Sequence, residues 1–296
     1  DFLESEFYLI NGDTFFHVQY ELIDAFVKSN NVKALVSLRL TEDVKRYGSV
    51  EQRDFKVTEF VEKGQLPESR VDGYINGGLY FFQKSILKDF YDSYHAINLS
   101  LERDILPSLV KEDKLFGLPL GGAFIDIGVP RDYERAKSLI PYVISEERVP
   151  ALFLDRDGVI VEDTGYVYGT KLKFIERTFE IVRNANLQGK KVIVITNQAG
   201  VARGYYTEED VVSTNEYIKE VYARKNLVIN SIFYCPYHPD GIVAQYKKAS
   251  LCRKPSPGMI LKACEQMVLD IRNSVIIGDK ETDRVLLFGI SFQKTE

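Results

Sequence analysis

Two α/β units in series are predicted for this chain of 296 residues, the second built on a Rossmann-like parallel sheet. Short apolar runs alternate with amphipathic stretches along the whole length, the pattern of α/β architecture. Runs in the second half, such as KKVIVITN (190–197), lack in-and-out alternation, as expected where helices cover both faces of a sheet. Between the halves lies PYVISEERVP (141–150), bounded by prolines and rich in charge, which puts the division near residue 147. The expected domains are therefore 1–147 and 148–296.

In the first half FYLI (7–10), KALVSLRL (33–40) and INGGLYFF (75–82) have strand composition. YELIDAFVKSN (20–30) has helical spacing, ERDILPSLVKE (102–112) reads as a helix interrupted by Pro107, and PRDYERAKSLI (130–140) as a further helix. The second half runs ALFLD (strand), KFIERTFEIVRNANLQG (helix), KKVIVITN (strand), TEEDVVSTNEYIKEVYARKN (helix), INSIFYCP (strand), SPGMILKACEQMVLD (helix) and SVIIGD (strand). Gly189 suits the residue after a helix end, and Thr207 ahead of Glu208, Glu209 and Asp210 makes an N-cap with an acidic first turn.

A net charge of −5 gives no general support for nucleic-acid binding. No apolar run approaches the ~20 residues a membrane-crossing helix needs, and no signal peptide is visible, so the expectation is a cytoplasmic protein. Three cysteines argue against a disulfide framework. The start at Asp1 without a methionine, close to a strand, reads as a fragment of something longer.

Ligands of open α/β sheets gather at the carboxyl ends of the strands. There the second half places DRDG (155–158), TNQ (196–198) and GDKETD (278–283), with CRKP (252–255) just before a helix. Asp155, Asp157 and Asp279 offer oxygen ligands to a hard divalent cation such as Mg²⁺, without which three close carboxylates would repel. Thr196 and Asn197 suit phosphate oxygens, and Lys254 adds a compact positive charge. The set suits phosphoryl transfer to a carboxylate.

LDRDGV, ITNQ, RKP and IIGDKETD, in that order over residues 150–290, resemble the haloacid dehalogenase superfamily of phosphatases. The resemblance implies a parallel-sheet domain with a minimal cap. It makes Asp155 the nucleophile that becomes an aspartyl phosphate and Asp157 the acid and base. It gives Mg²⁺ to Asp155, the backbone carbonyl of Asp157 and Asp279, with Asp283 in a supporting place. DRDGVIVEDTGYV, TNQAGVARGYYTEED, CPYHPDG and CRKPSPGM narrow the likeness to the heptose-1,7-bisphosphate 7-phosphatases, with histidinol-phosphate phosphatases as near relatives. By that likeness Arg203 and Arg253 contact the remote phosphate or sugar. The family's structural zinc loop falls here on Cys235, Tyr237, Ser250 and Cys252, and even with His238 only three ligands remain, so zinc is not expected.

LINGDTFF (9–16), FVEKG (60–64), INGGLYFF and FIDIGVPRDYERA (124–136) resemble the later portion of sugar-phosphate nucleotidyltransferases. The likeness implies Mg²⁺ ligation by Asp13 and Asp126 and sugar-phosphate contacts at Glu62, Lys63, Asn76 and Gly77. The glycine-rich nucleotide cradle of that family is not in this sequence, so the pair is expected to be vestigial here. Joining the two activities fits GDP-heptose synthesis, and by that association the α-anomer of the bisphosphate. Two alternatives stay open: nucleotidyl transfer by the first half, and a first half that serves as a docking or self-association module through exposed apolar surface.

Overall fold

The computed structural model describes residues 3–42, 49–61, 71–88, 99–128 and 130–295. Glu62, Lys63 and His95 lie outside the described residues. The chain divides between Ser145 and Glu146 into two compact units. Among the described residues, no helix is long and apolar enough to cross a membrane.

The first unit contains β1 (Glu6–Ile10), β2 (Thr14–Phe16), α1 (Tyr20–Asn30), β3 (Ala34–Thr41), β4 (Ser49–Arg53), β5 (Lys56–Val61), β6 (Gly73–Gln83), α2 (Leu106–Lys111), β7 (Leu115–Pro119), β8 (Phe124–Asp126) and α3 (Pro130–Ser145). Six strands form one sheet in the order β1-β6-β3-β7-β5-β4, and β2 pairs with β8. Helix α1 buries Leu22, Ile23, Phe26 and Val27 at helical spacing and ends at Asn31 in the left-handed region. The β2–β8 pairing sets Thr14 opposite Asp126, and the Ile127 N–H donates to the Asp13 carbonyl at 2.8 Å. Two segments more than a hundred residues apart in sequence thus bring Asp13 and Asp126 to one place: a Cβ on Gly128 would lie 3.1 Å from Asp126 Oδ1 and 3.7 Å from Asp13 Oδ2.

Three features of the first unit differ from the sequence expectation. Pro107 does not interrupt its helix. A wide turn over Leu101–Ile105, capped by Ser100, leads into α2, and the proline sits in the first turn, where its missing N–H leaves no hydrogen bond unmade. Helix α3 continues through Pro141 to Ser145, so the linker expected from residue 141 onward is partly helical. The β4–β5 hairpin was not expected; its turn places Asp54 and Phe55 at φ 48° and 64°, without the glycine that normally advertises such a turn.

The second unit contains β9 (Val149–Leu154), α4 (Glu176–Leu187), β10 (Lys191–Asn197), α5 (Ala199–Ala202), α6 (Glu208–Arg224), β11 (Ser231–Cys235), α7 (Gly258–Gln266), β12 (Leu269–Gly278) and β13 (Ser291–Lys294). All five strands run parallel in the order β11-β10-β9-β12-β13. From central β9 the chain winds outward through β10 and β11, then returns to the other side for β12 and β13. That reversal opens a crevice at the carboxyl ends of β9, β10 and β12. Leu152, Leu154, Val192 and Val194 meet Phe179, Val182, Ile218 and Tyr222 in the core beneath it.

Thr207 caps α6 as expected: its hydroxyl accepts from the Asp210 N–H while the Asp210 carboxylate accepts from the Thr207 N–H. The helix expected over 256–270 is shorter. It stops at Gln266, Met267 is extended, and Leu269 already pairs with Val149 in the sheet.

Candidate active site

Asp155 follows directly on β9, and its N–H still donates to the Ile277 carbonyl of β12, so the sheet fixes where its side chain starts. Its Oδ1 accepts from the Arg156 N–H at 2.7 Å and lies 2.7 Å from Lys254 Nζ. Burial pushes this carboxyl up to about 7. Lys254 opposes the rise, while Asp283 and Asp157 add to it.

Lys254 also lies 2.7 Å from Asp283 Oδ1 and is buried, so one ammonium is shared by two buried carboxylates. Asn197, at the end of β10, clasps the lysine's backbone: Asn197 Nδ2 donates to the Lys254 carbonyl at 3.1 Å, and the Lys254 N–H donates to Asn197 Oδ1 at 2.9 Å. Both ends of the Asn197 amide are thus engaged in holding the loop that carries the lysine, a role the sequence did not separate from direct phosphate contact.

Asp279 and Asp283 come from the end of β12. Asp283 is 1% exposed, and its Oδ2 accepts from the Lys280 N–H at 2.9 Å. Gly278 permits this approach, since a Cβ there would lie 2.2 Å from Asp283 Cβ. Among the described residues one group of acids is arranged to share a cation: Asp155, Asp279 and Asp283, each offering an oxygen within 4.8 Å of the others. Asp283 therefore stands beside the two expected ligands. The Asp157 side chain stays outside the group, which leaves its backbone carbonyl as the atom the resemblance assigns to the metal.

The donor set fits a hard divalent cation. It is all oxygen. Asp279 Oδ1 is buried and has no hydrogen-bond partner, an arrangement a cation would complete. Burial also raises the Asp279 carboxyl, against the pull of Lys280. Gly158, at φ 96°, leaves the space that keeps Asp279 in place, because a Cβ there would lie 2.3 Å from Asp279 Oδ2. Gly158→Ala is accordingly expected to lower turnover about 100-fold, the scale of a misplacement of about 1 Å, and to weaken Mg²⁺ dependence; kcat across a Mg²⁺ titration checks it.

Asp157 points its carboxylate at a buried arginine. Arg156 Nε donates to Asp157 Oδ1 at 2.9 Å and Arg156 NH2 to Asp157 Oδ2 at 3.1 Å. Gln198 Nε2 donates to Asp157 Oδ2 at 2.9 Å and to Thr196 Oγ1 at 2.8 Å. Thr196 is the last residue but one of β10 and is buried, at the crevice end of the strand as expected.

Arg203 and Arg253 are brought near one another. Arg203 NH1 donates to the Tyr166 hydroxyl, and its guanidinium stands 5.8 Å from the centre of the Tyr166 ring. Arg253 is half-buried, and its NH1 is enclosed without a partner. Burial holds the Arg253 guanidinium below its usual range, opposed by Cys235 and aided to a smaller extent by the charge of Arg203. Two cations with an unfilled donor make a receptor for an anion.

At the positions of the expected zinc loop, Cys235 Sγ is 3.8 Å from the Tyr237 carbonyl, and Ser250 Oγ accepts from the Cys252 N–H at 3.0 Å. The surrounding loop is held by aromatic groups: the Tyr234 and Tyr246 hydroxyls donate to the two oxygens of Glu208 at 2.9 and 2.6 Å, and the Tyr237 ring packs on Tyr246.

Sequence reading missed Arg156, Gln198 and Tyr206. An arginine between two aspartates reads as a spacer that turns the second carboxylate away from the first, and nothing local announces that it is wholly buried.

The Nucleotidyl transferase family matches residues 1–141, and a HAD-hydrolase-like family matches residues 251–286. A D-glycero-alpha-D-manno-heptose-1,7-bisphosphate 7-phosphatase of Burkholderia mallei is 46% identical over 134 residues, spanning 45% of this chain and 71% of that protein. The D-glycero-beta-D-manno-heptose-1,7-bisphosphate 7-phosphatase of Yersinia pestis is 39% identical over 138 residues, 46% of this chain and 73% of that protein. Among solved structures, a D,D-heptose 1,7-bisphosphate phosphatase from B. bronchiseptica, complexed with magnesium and phosphate, matches at 26% identity with a TM-score of 0.39, covering 46% of this chain and 73% of that one.

Proposed function

The chain belongs to the heptose-1,7-bisphosphate 7-phosphatase family of HAD-like phosphoric monoester hydrolases, joined to a nucleotidyltransferase-type first half, and from that premise we propose that it removes the 7-phosphate of D-glycero-D-manno-heptose 1,7-bisphosphate. The observation that carries the reading is the meeting of Asp155, Lys254, Asp279 and Asp283 at one sheet end, with Arg253 preceding Lys254 in the chain.

Asp155 attacks phosphorus, and the P–O bond to the sugar breaks. Asp157 gives a proton to the departing oxygen, so the sugar leaves as an alcohol. It then takes a proton from the water that releases phosphate from Asp155, which restores both groups. Lys254 and the Thr196 hydroxyl stabilise the phosphoryl oxygens while Asn197 holds Lys254 in place. Asp155, the Asp157 carbonyl and Asp279 would hold Mg²⁺, with Asp283 adjoining. When bound, the ion neutralises the clustered acids and the phosphoryl charge. Arg203 and Arg253 receive the 1-phosphate at the far end of the substrate.

In the first unit the nearness of Asp13 and Asp126 supports an inherited, vestigial metal pair of the nucleotidyl-transfer kind, and the joining of the two domain types supports a place in GDP-heptose synthesis, with the α-anomer as substrate.

Phosphate release with Mg²⁺ from both anomers of the heptose bisphosphate and from histidinol phosphate tests the reading. The α-bisphosphate is expected to give the highest kcat/KM. Preference for histidinol phosphate would overturn the substrate assignment.

A further inference from the structure

Arg156 sits between the two working aspartates, and the sequence alone makes it only a spacer that turns one away from the other. The structure surrounds its guanidinium with acceptors on all three nitrogens, three of them sharing the two hydrogens of NH2. Its backbone N–H holds Asp155 Oδ1, Nε and NH2 hold the two oxygens of Asp157, NH1 donates to Asn215 Oδ1 at 3.2 Å, and NH2 also reaches the Val167 carbonyl at 2.7 Å and Gln198 Oε1 at 2.8 Å. The side chain is 0% exposed. A buried guanidinium with acceptors on all three nitrogens is held in one orientation.

Gln198 is the second fixed part. Its Oε1 takes donors from Arg156 and from the Tyr206 hydroxyl at 2.7 Å, and an arginine is only ever a donor. That settles which end of the amide is which. Nε2 must therefore face Asp157 Oδ2 and Thr196 Oγ1. Tyr206 is itself locked by close packing, since a Cβ on Gly200 would lie 2.3 Å from its ring.

Two chemical consequences follow. Asp157 Oδ2 faces two donors, Gln198 Nε2 at 2.9 Å and Arg156 NH2 at 3.1 Å, the latter shared with the Val167 carbonyl and Gln198 Oε1. Asp157 Oδ1 receives one and keeps a lone pair, and the side chain retains 18% exposure. Thr196 Oγ1 accepts from Gln198, so its own proton is left to donate elsewhere.

We infer that Arg156 and Gln198 are positioning residues that assign proton transfer to Asp157 Oδ1 and set the Thr196 hydroxyl as a donor to the phosphoryl group. The inference rests on the phosphatase reading above. In its terms the proton on Oδ1 passes to the bridging oxygen as the bond between that oxygen and phosphorus breaks and the bond from Asp155 to phosphorus forms. Water later returns a proton to the same oxygen. The single network couples the phosphate cradle to the acid without either touching the other.

The test is leaving-group dependence in Gln198→Met and Arg156→Lys. An alkyl phosphate needs a proton as its alcohol departs, whereas p-nitrophenolate leaves without one. In single turnovers, alcohol release from a sugar phosphate is expected to fall about 100-fold, and p-nitrophenolate release at most about tenfold, the smaller loss reporting the Thr196 donor alone. Equal losses on the two substrates, or no loss, in variants with wild-type unfolding temperature would overturn the inference. If both buried variants fail to fold, Tyr206→Phe reads the same ratio, and an unchanged ratio there overturns it too. Asp155→Asn run in parallel separates the two claims. Turnover that survives in it sinks the phosphatase reading, whereas an inactive Asp155→Asn beside leaving-group-blind Gln198→Met sinks only the positioning role.

Discussion

Asp155→Asn is expected to reduce phosphate release by about 10⁴-fold or more, the scale on which removing an attacking group acts. The fold should survive. Asn keeps the shape, and the lost charge is one that burial opposes: burial disfavours ionisation of this carboxyl relative to water. Lys254 still has Asp283 at 2.7 Å. Near neutral pH and without added cation, the variant is thus expected to unfold at a temperature no lower than that of the wild type. Turnover assays and thermal unfolding together check both halves; a variant that is inactive only because it is unfolded would contradict the second.

Lys254→Met is expected to damage activity and stability together. Its ammonium lies between Asp155 and Asp283, all three side chains nearly sealed from water. Removing the cation leaves two buried carboxylates facing one another, and breaking a buried pair in this way costs about 3–5 kcal/mol. Loss of the phosphate contact should lower kcat by about 10²–10³-fold, as for removal of one preorganised stabilising donor. The sign of the metal effect is informative. Added Mg²⁺ neutralises the same acids, so it should raise the unfolding temperature of Lys254→Met more than that of the wild type, as ligand binding to the folded state requires. Unfolding midpoints with and without Mg²⁺ measure this directly.

Much of the second unit was legible because its strands are apolar runs ending in polar residues. Asp155, Thr196 and Asp279 fall at strand ends in the sequence and at neighbouring strand ends in the sheet. What was not legible depends on contacts between distant segments. Asn197 looks like a phosphate ligand until the reciprocal bonds to Lys254, 57 residues away, are seen. Arg156 looks like a mere spacer until Asn215, Gln198 and the Val167 carbonyl close around it. The hairpin at Asp54–Phe55 lacks a glycine, and Pro141 suggested a helix end where the helix continues. In each case local propensity pointed one way and tertiary bonding decided otherwise.

The central claim is that Asp155 itself carries the phosphoryl group between the two half-reactions. Acid quench during turnover of the heptose bisphosphate, followed by borohydride reduction and peptide mapping, tests it most directly, because an acyl phosphate is reduced to the alcohol and phosphorylated Asp155 becomes homoserine. The prediction is homoserine at position 155 in the quenched wild type and none in Asp155→Asn. Rapid phosphate release with no trapped group at that position, or with the group on another residue, would contradict it.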